Sequence, residues 1–343
     1  MSRANYRAWD IDITSFPEDA GFGEQLRFLI GFGILAPSGH NSQPWEFIVT
    51  DDSIEVFFNQ ERSLSQSDPA GRQLLISIGC AIENIIIAGD YYGFEGVVHF
   101  HNDWHATRFI ATISFRKISP STSRDPHHLF FSVSKRSTNR GKYKTQLPPE
   151  SFLKEISQLN NDDFRMVFVA DKHMRSLLAD VVNKAQIEVM DGHGFREELS
   201  HYIQHNFTKK HVGMPGFTLG IPAPVSLFAS RLIKRVNLSR ASKKQDDALL
   251  KRFTPIFVLI CSCNDTSRDW MGAGRIFERI WLMATREGLA CAPLAAGVQV
   301  GDYYKKLQAI LDTHDRPQVF FRMGYPEKHF HHSPRLSPLN VVR

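Results

Sequence analysis

Two long, largely apolar segments carrying the same signature residues lie 195 positions apart in this chain of 343 residues. Set against each other, they pair Gly79 with Gly274, Glu83 with Glu278, Ile85 with Ile280 and Gly93 with Gly288, and apolar positions coincide between them. Each has helical spacing on a mostly apolar surface, and each ends in a glycine at the place that favours a left-handed cap. Two central, buried helices, one in each of two related units, are therefore expected. The length agrees, because domains of roughly 100–200 residues are the common size.

Composition narrows the class. Apolar residues make up 42% and charged residues 22%, which argues against a disordered or fibrous chain. The longest strongly apolar run, Ile256 to Cys261, is far short of the roughly 20 residues that cross a bilayer. Arg3 and Arg7 lead into Asp10 and Asp12 rather than into an apolar stretch, so no signal peptide and a cytoplasmic location are expected. Cys80, Cys261, Cys263 and Cys291 sit in apolar surroundings and do not read as a disulfide framework; Cys261 and Cys263 would share one core face of a strand.

Lys and Arg number 41 against 36 Asp and Glu, a surplus of five that is weak support for a nucleic-acid partner and suits a small anion equally well. His127-His128 and His329 to His332 lack the spacing of a metal site and read as surface loops, so no metal is expected. The basic run Arg231 to Arg235 with Lys243 and Lys244, diluted by Asp246 and Asp247, reads as an exposed helical face rather than a membrane or nucleic-acid contact.

Periodicity divides the chain into a first half, 1–130, and a second, 131–343. The first holds a helix at 23–34, a polar loop at 36–45, strands at 46–49 and 54–58, the core helix at 71–92, and strands at 97–100 and 107–115. A Ser-, Pro- and His-rich connector follows at 119–128. The second half has a strand at 165–169, a helix at 172–190, an apolar strand at 255–263, its core helix, a strand-like run at 288–297 and a strand at 319–323. Residues 192–252 have no counterpart in the first half. Gly213-Met214-Pro215-Gly216 and Gly220-Ile221-Pro222 punctuate them, followed by an amphipathic stretch that suits a lid over a site.

Three segments carry chemistry. Ala36 to Phe47 packs Ser38, His40, Asn41, Ser42 and Gln43 between two prolines, a stiff loop able to hold a phosphate or the polar edge of a heterocycle. Lys135-Arg136-Ser137-Thr138-Asn139-Arg140 gathers three cations and three small polar residues, a combination that grips phosphate. Gly288 to Gly297 leaves the second core helix with small side chains that let a flat ring approach the backbone. A polar turn, a solvated basic turn and a plain buried strand are the bland alternatives.

Together these segments resemble the nitroreductase family of flavoproteins. Pro37-Ser38-Gly39-His40-Asn41-Ser42-Gln43-Pro44-Trp45 resembles that family's "PSxxNxQPW" loop, and Lys135 to Arg140 resembles its "RRSxR" phosphate motif. Gly288 to Gly297 is similar to the strand under its flavin. Met323-Gly324-Tyr325-Pro326 followed by Ser333-Pro334-Arg335 is similar to its C-terminal ending. Asp68-Pro69-Ala70-Gly71-Arg72 with Ile78 to Ala81 further resembles the tandem, Acg-like branch.

The resemblance implies an α+β, nitroreductase-like sandwich of two fused, related halves, an intrachain pseudo-dimer with one composite FMN site. Lys135, Arg136, Ser137 and Arg140, with Arg335, would hold the phosphate. Pro37, Ser38, Gly39 and Asn41 would contact the ring and ribityl chain, and backbone groups around Pro293, Leu294, Ala295 and Ala296 would face the ring edge. It also implies an oxidoreductase passing hydride from NAD(P)H through flavin N5, in ping-pong fashion, to a nitroaromatic, a quinone or a similar electrophile. No catalytic side chain is assigned. A small-molecule acceptor is the expected partner, with neither nucleic acid nor membrane, and a monomer is compatible with a fused dimer. Ala295-Ala296 stands where many active relatives carry Glu. The alternative is an FMN-binding, storage or stress-linked protein whose lid covers the flavin.

Overall fold

The computed structural model describes residues 4–118 and 128–343; the expected connector, apart from His128, lies outside the described residues. In the first half, α1 (Phe22–Gly33) precedes the hairpin of β1 (Trp45–Val49) and β2 (Ser53–Phe58). The core helix α2 (Arg72–Tyr91), β3 (Phe94–Phe100), the short α3 (Trp104–Thr107) and β4 (Phe109–Lys117) follow. The second half passes through α4 (Phe130–Val133), α5 (Glu150–Ser157), β5 (Phe164–Val169), α6 (Lys172–Asp191) and α7 (His193–Tyr202). Next come the two-residue strands β6 (Ile203–Gln204) and β7 (Met214–Pro215), then α8 (Ala223–Arg235), α9 (Ser239–Arg252) and β8 (Ile256–Ser262). The second core helix α10 (Ser267–Arg286), β9 (Ala290–Pro293), α11 (Ala296–Gln299), α12 (Tyr303–Leu311) and β10 (Arg316–Gly324) complete it.

Each half builds one four-stranded antiparallel sheet. The orders are β1-β2-β4-β3 and β5-β8-β10-β9, first-second-fourth-third in both. In both halves the core helix falls between the second and third strands. α2 starts at Gly71 (φ 73°), with Asp68 accepting the Leu74 N–H at 2.8 Å, and the chain leaves it through Gly93 (φ 80°). α10 starts on a capping box of Thr266 and Asp269 and is left through Gly288 (φ 72°). The matched glycines thus supply the left-handed backbone that reverses the chain after each core helix.

The other matched glycines sit where α2 and α10 cross. A methyl group at Gly79 would run into the carbonyl oxygen of Met271, and one at Gly274 into that of Ile76. Each glycine thus faces the residue three positions before its counterpart, so the crossing is reciprocal. The Cys80 thiol donates to the Gly274 carbonyl at 3.2 Å across it.

One apolar cluster runs from the first sheet (Val56, Ile113) through both core helices (Ile78, Ile85, Ile280, Trp281) to the second sheet (Val258, Phe321). Period-2 geometry then explains the burial of β8. Ile256, Val258 and Ile260 face this cluster, while Phe257, Leu259 and Cys261 face a second one, formed with Leu178 and Val182 of α6 and Leu307 of α12. A strand covered on both faces reads as a continuous apolar run, whereas β4, with one face more open, alternates.

Several expectations need correction. The strand expected over 288–297 ends at Pro293, and the chain then enters α11. Cys261 is buried but Cys263 is exposed, because β8 ends at Ser262 and the strand alternation no longer governs the next residue. The first-half hairpin joins β1 to β2 through residues 50–52, whereas 170–255 separate β5 from β8, so the excursion begins with α6 rather than at 192. The C-terminal segment returns to the first half: the Phe47 N–H donates to Val341 O at 2.7 Å, and the Arg343 N–H to Phe47 O at 2.9 Å.

Candidate functional site

A cavity of about 620 Å³ lies between the halves. Pro37, Ser38, Gly39 and His40 line it from the first half, with Cys80 of α2 beneath. Thr138, Arg140, Arg322 and the segment Pro293–Ala296 line it from the second half. The excursion roofs it with apolar side chains, among them Phe195, Leu199, Ile221 and Ile233.

The loop is held in a costly conformation. His40, Asn41 and Gln43 take φ of 50°, 56° and 52°, in the left-handed region that costs a side-chain-bearing residue about 1–2 kcal/mol. Hydrogen bonds over-determine it. Ser38 Oγ accepts the Gln43 N–H at 2.9 Å, Asn41 Nδ2 donates to Gly213 O (2.9 Å) and Pro334 O (3.0 Å), and Gln43 Nε2 donates to His211 O (2.7 Å). Asn41, expected against a ligand, is spent on tying the loop to the lid and to the C-terminal segment.

Two cations meet at one end of the cavity. Arg140 donates to Thr218 O at 3.3 Å, and its guanidinium is pushed down to about 10 by burial first and by neighbouring Arg322 second. Arg322 donates through Nη2 to Asn139 O (3.4 Å) and Gly141 O (2.8 Å), its guanidinium lies over the Tyr143 ring, and its buried Nη1 has no hydrogen-bond partner. Burial lowers the Arg322 pKa too, and no carboxylate contributes to the shift of either arginine. An anion in that corner would relieve both the repulsion and the unmet donor. β9 sets the position, since the Asn139 N–H donates to Cys291 O at 3.2 Å and carries Thr138–Arg140 along the strand that leads to Pro293.

The remaining expected phosphate ligands lie elsewhere. Lys135 is exposed, Ser137 is half-buried, and neither lines the cavity. Arg136 is buried with its Nε 3.1 Å from a Glu278 oxygen, its Nη2 donating to Leu35 O at 2.6 Å and its guanidinium over the Trp281 ring. Arg335 donates to Asn41 Oδ1 (2.7 Å) and to the carbonyls of Leu35 (3.1 Å) and Ala36 (3.0 Å), with its guanidinium over Trp9. Both arginines stitch the loop to the core from behind, because carbonyls at the end of α1 and a buried carboxylate already claim them. The Leu294 N–H also donates internally, to Phe320 O at 2.7 Å, which leaves the N–H groups of Ala295 and Ala296 at the open first turn of α11.

The matched glutamates have diverged. Glu83 lies between Arg275 (2.9 Å) and Arg279, and these hold its carboxyl below the usual range despite burial. Burial pushes the Glu278 carboxyl up to about 7, and Arg136 only partly opposes it. On the lid side, His40 edges Phe195 and Tyr202 of α7. Its imidazole is lowered to about 4 by burial, and its Nε2 has no partner. The lid is itself pinned: the Glu198 carboxylate accepts the N–H groups of Gln66 (2.8 Å) and Ser67 (3.0 Å) as well as the Ser67 hydroxyl. Among the described residues no cluster of His, Cys, Asp and Glu could hold a metal, and His332 stacks on Trp9 instead.

No family model matches the sequence. A Mycobacterium tuberculosis H37Rv protein named "Putative NAD(P)H nitroreductase Rv3131" is 24% identical over 326 residues, covering 91% of this chain and 87% of its own length. Another from the same strain, "Putative NAD(P)H nitroreductase acg", is 25% identical over 314 residues, covering 87% of this chain and 88% of its own. Over most of its length the chain is thus similar to proteins named as NAD(P)H nitroreductases, Acg among them.

Solved structures match about three-fifths of the chain. The FMN-dependent nitroreductase NfnB from Mycobacterium smegmatis, solved with NADPH, is 17% identical with a TM-score of 0.41, and the match covers 62% of this chain and 95% of that one. An iodotyrosine deiodinase solved with FMN and 3-iodo-L-tyrosine gives 16%, 0.39, 61% and 95% in the same order. Sequence reasoning missed Arg322 and took His40 only as one polar member of the loop. The signal for Arg322 was a lone cation inside the apolar run Val319 to Met323; for His40 it was the one imidazole in the polar loop.

Proposed function

We propose that the chain binds one FMN in the cavity between its halves and uses it as an NAD(P)H-dependent oxidoreductase, with a nitroaromatic, a quinone or a similar electrophile as acceptor. The observation that carries this reading is the Arg140–Arg322 corner, a half-buried and a buried guanidinium with an unmet donor in the wall of a largely apolar cavity. The relatives named as NAD(P)H nitroreductases support it. FMN, when bound, would supply the transfer of hydride and electrons, leaving the protein to bind, orient and exclude water.

In this reading Arg140, Arg322 and Thr138 hold the phosphate, with Lys135 and Ser137 contributing at most at its outer edge. Pro37, Ser38 and Gly39 bound the ring and ribityl chain from the first half, and Pro293 to Ala296 bound them from the second. His40 is neutral at pH 7 and lines the cavity with its Nε2 unpartnered, so that it can exchange a hydrogen bond with a bound acceptor. Two sheets of equal strand order and a reciprocal helix crossing support a fused pseudo-dimer that divides one site between its halves.

The pinned lid favours a second reading, a flavin holder that excludes substrates. Steady NAD(P)H oxidation with a nitroaromatic or quinone separates the two; bound FMN without turnover selects the holder. The phosphate assignment has its own test. Arg140→Ala is expected to weaken FMN binding roughly 10–100-fold while leaving riboflavin, which lacks the phosphate, nearly unaffected. Equal losses for both ligands would contradict it.

A further inference from the structure

The lid carries a feature that the cavity does not use. Residues 205–252 contain ten Lys and Arg against two Asp and no Glu, whereas the surplus of the whole chain is only five. Here α8 turns Ser226 and Ala229 inward, with Ile233 reaching the cavity wall. Its outward face bears Val225, Phe228 and Leu232, at spacings of three and four residues, with Val236 just past the helix end. Phe228 is 62% exposed and Leu232 42%.

Arg231 and Arg235 are exposed beside this stripe, and Lys243 and Lys244 are exposed on α9; no ion pair engages these four among the described residues. An aromatic and aliphatic stripe flanked by unpaired cations is the pattern of a helix that lies in the plane of an anionic bilayer surface. A nucleic-acid backbone would take the cations but leave the Val225–Phe228–Leu232 stripe in water.

We infer that the lid docks on an anionic lipid surface through the outer face of α8, with Phe228 and Leu232 entering the interface and Arg231 and Arg235 meeting the headgroups. This inference stands apart from the flavin reading, and it revises the sequence-based expectation of no membrane partner. Sequence placed a basic amphipathic helix here, but only the structure shows that its apolar stripe faces away from the protein. Because the same helix walls the cavity, docking would bring the Ile233 side of the chamber within one helix diameter of the lipid.

The test is co-sedimentation of the full chain with vesicles of phosphatidylcholine, with and without phosphatidylglycerol. Binding to the anionic vesicles is expected, about tenfold weaker without phosphatidylglycerol or at high salt. The pairs Phe228→Asp with Leu232→Asp, and Arg231→Glu with Arg235→Glu, should each weaken it by about tenfold or more, with the thermal midpoint unchanged because all four side chains are exposed. Absence of sedimentation would overturn the inference. So would a Phe228/Leu232 pair that binds like the parent, tighter retention on duplex DNA than on vesicles, or a self-association that the same pair abolishes while vesicles are ignored.

Discussion

Arg322 and Glu278 are charged side chains in apolar elements, and their surroundings set opposite fates for them. Arg322 emerges at the cavity with a donor to spare, while Glu278 is sealed against Arg136. With its folded pKa raised to about 7 from 4.5, Glu278 keeps its proton in the native state where the unfolded chain has lost it. Its contribution to stability is therefore full below pH 4.5 and is lost as pH rises to about 7, on the order of 3 kcal/mol in all. Glu278→Gln imitates the protonated acid. Relative to the parent, the variant should be about equal in stability at pH 5 and up to ~3 kcal/mol more stable at pH 8, as read from denaturant unfolding at each pH. A variant less stable than the parent at pH 8 would make the ion pair a net stabiliser instead. Neither partner choice was legible in the sequence. Lys135 to Arg140 reads as one phosphate motif, yet the loop geometry sends Arg140 to the cavity and Arg136 to a carboxylate 142 positions away (278 − 136).

At the scale of elements, the repeat spoke clearly because each core helix announces itself three ways: apolar spacing, a crossing glycine and a terminal left-handed glycine. Gly274→Ala tests the crossing. Its methyl group meets backbone rather than a yielding side chain, so a loss of at least ~2 kcal/mol in unfolding free energy is expected; a change within about 0.5 kcal/mol would mean that the helices separate easily. The strand run to Gly297 was less legible, because small apolar residues suit a strand and the first turn of α11 equally. The lid has only a small apolar cluster of its own, Ile203, Met214 and Ala229, and Glu198 ties it to the first half. Glu198→Ala removes the acceptor of two N–H groups and a hydroxyl at a partly exposed site, worth about 1 kcal/mol locally. Amide exchange should accelerate over 193–221 while the global midpoint barely moves; a midpoint that falls together with the lid would make the excursion part of the cooperative core.

The whole molecule reads as two sheets of one topology, with their helices crossed reciprocally and an 86-residue excursion (170–255) where the first half has a hairpin turn. That unequal elaboration bears on function. The loop comes from one half, the Arg140–Arg322 corner from the other, and the lid hydrogen-bonds the loop through Gly213 and His211. A second, symmetry-related site would need a first-half copy of the Arg-rich segment and a second-half copy of the polar loop, and the sequence repeats neither. The central claim is thus one composite site per chain. Its direct test is the FMN-to-protein ratio of the purified, FMN-saturated chain, from flavin absorbance against amino-acid analysis, with molar mass measured on the same sample. The account predicts a ratio close to one per chain; a ratio near two, or a chain that takes up no FMN at all, would contradict it.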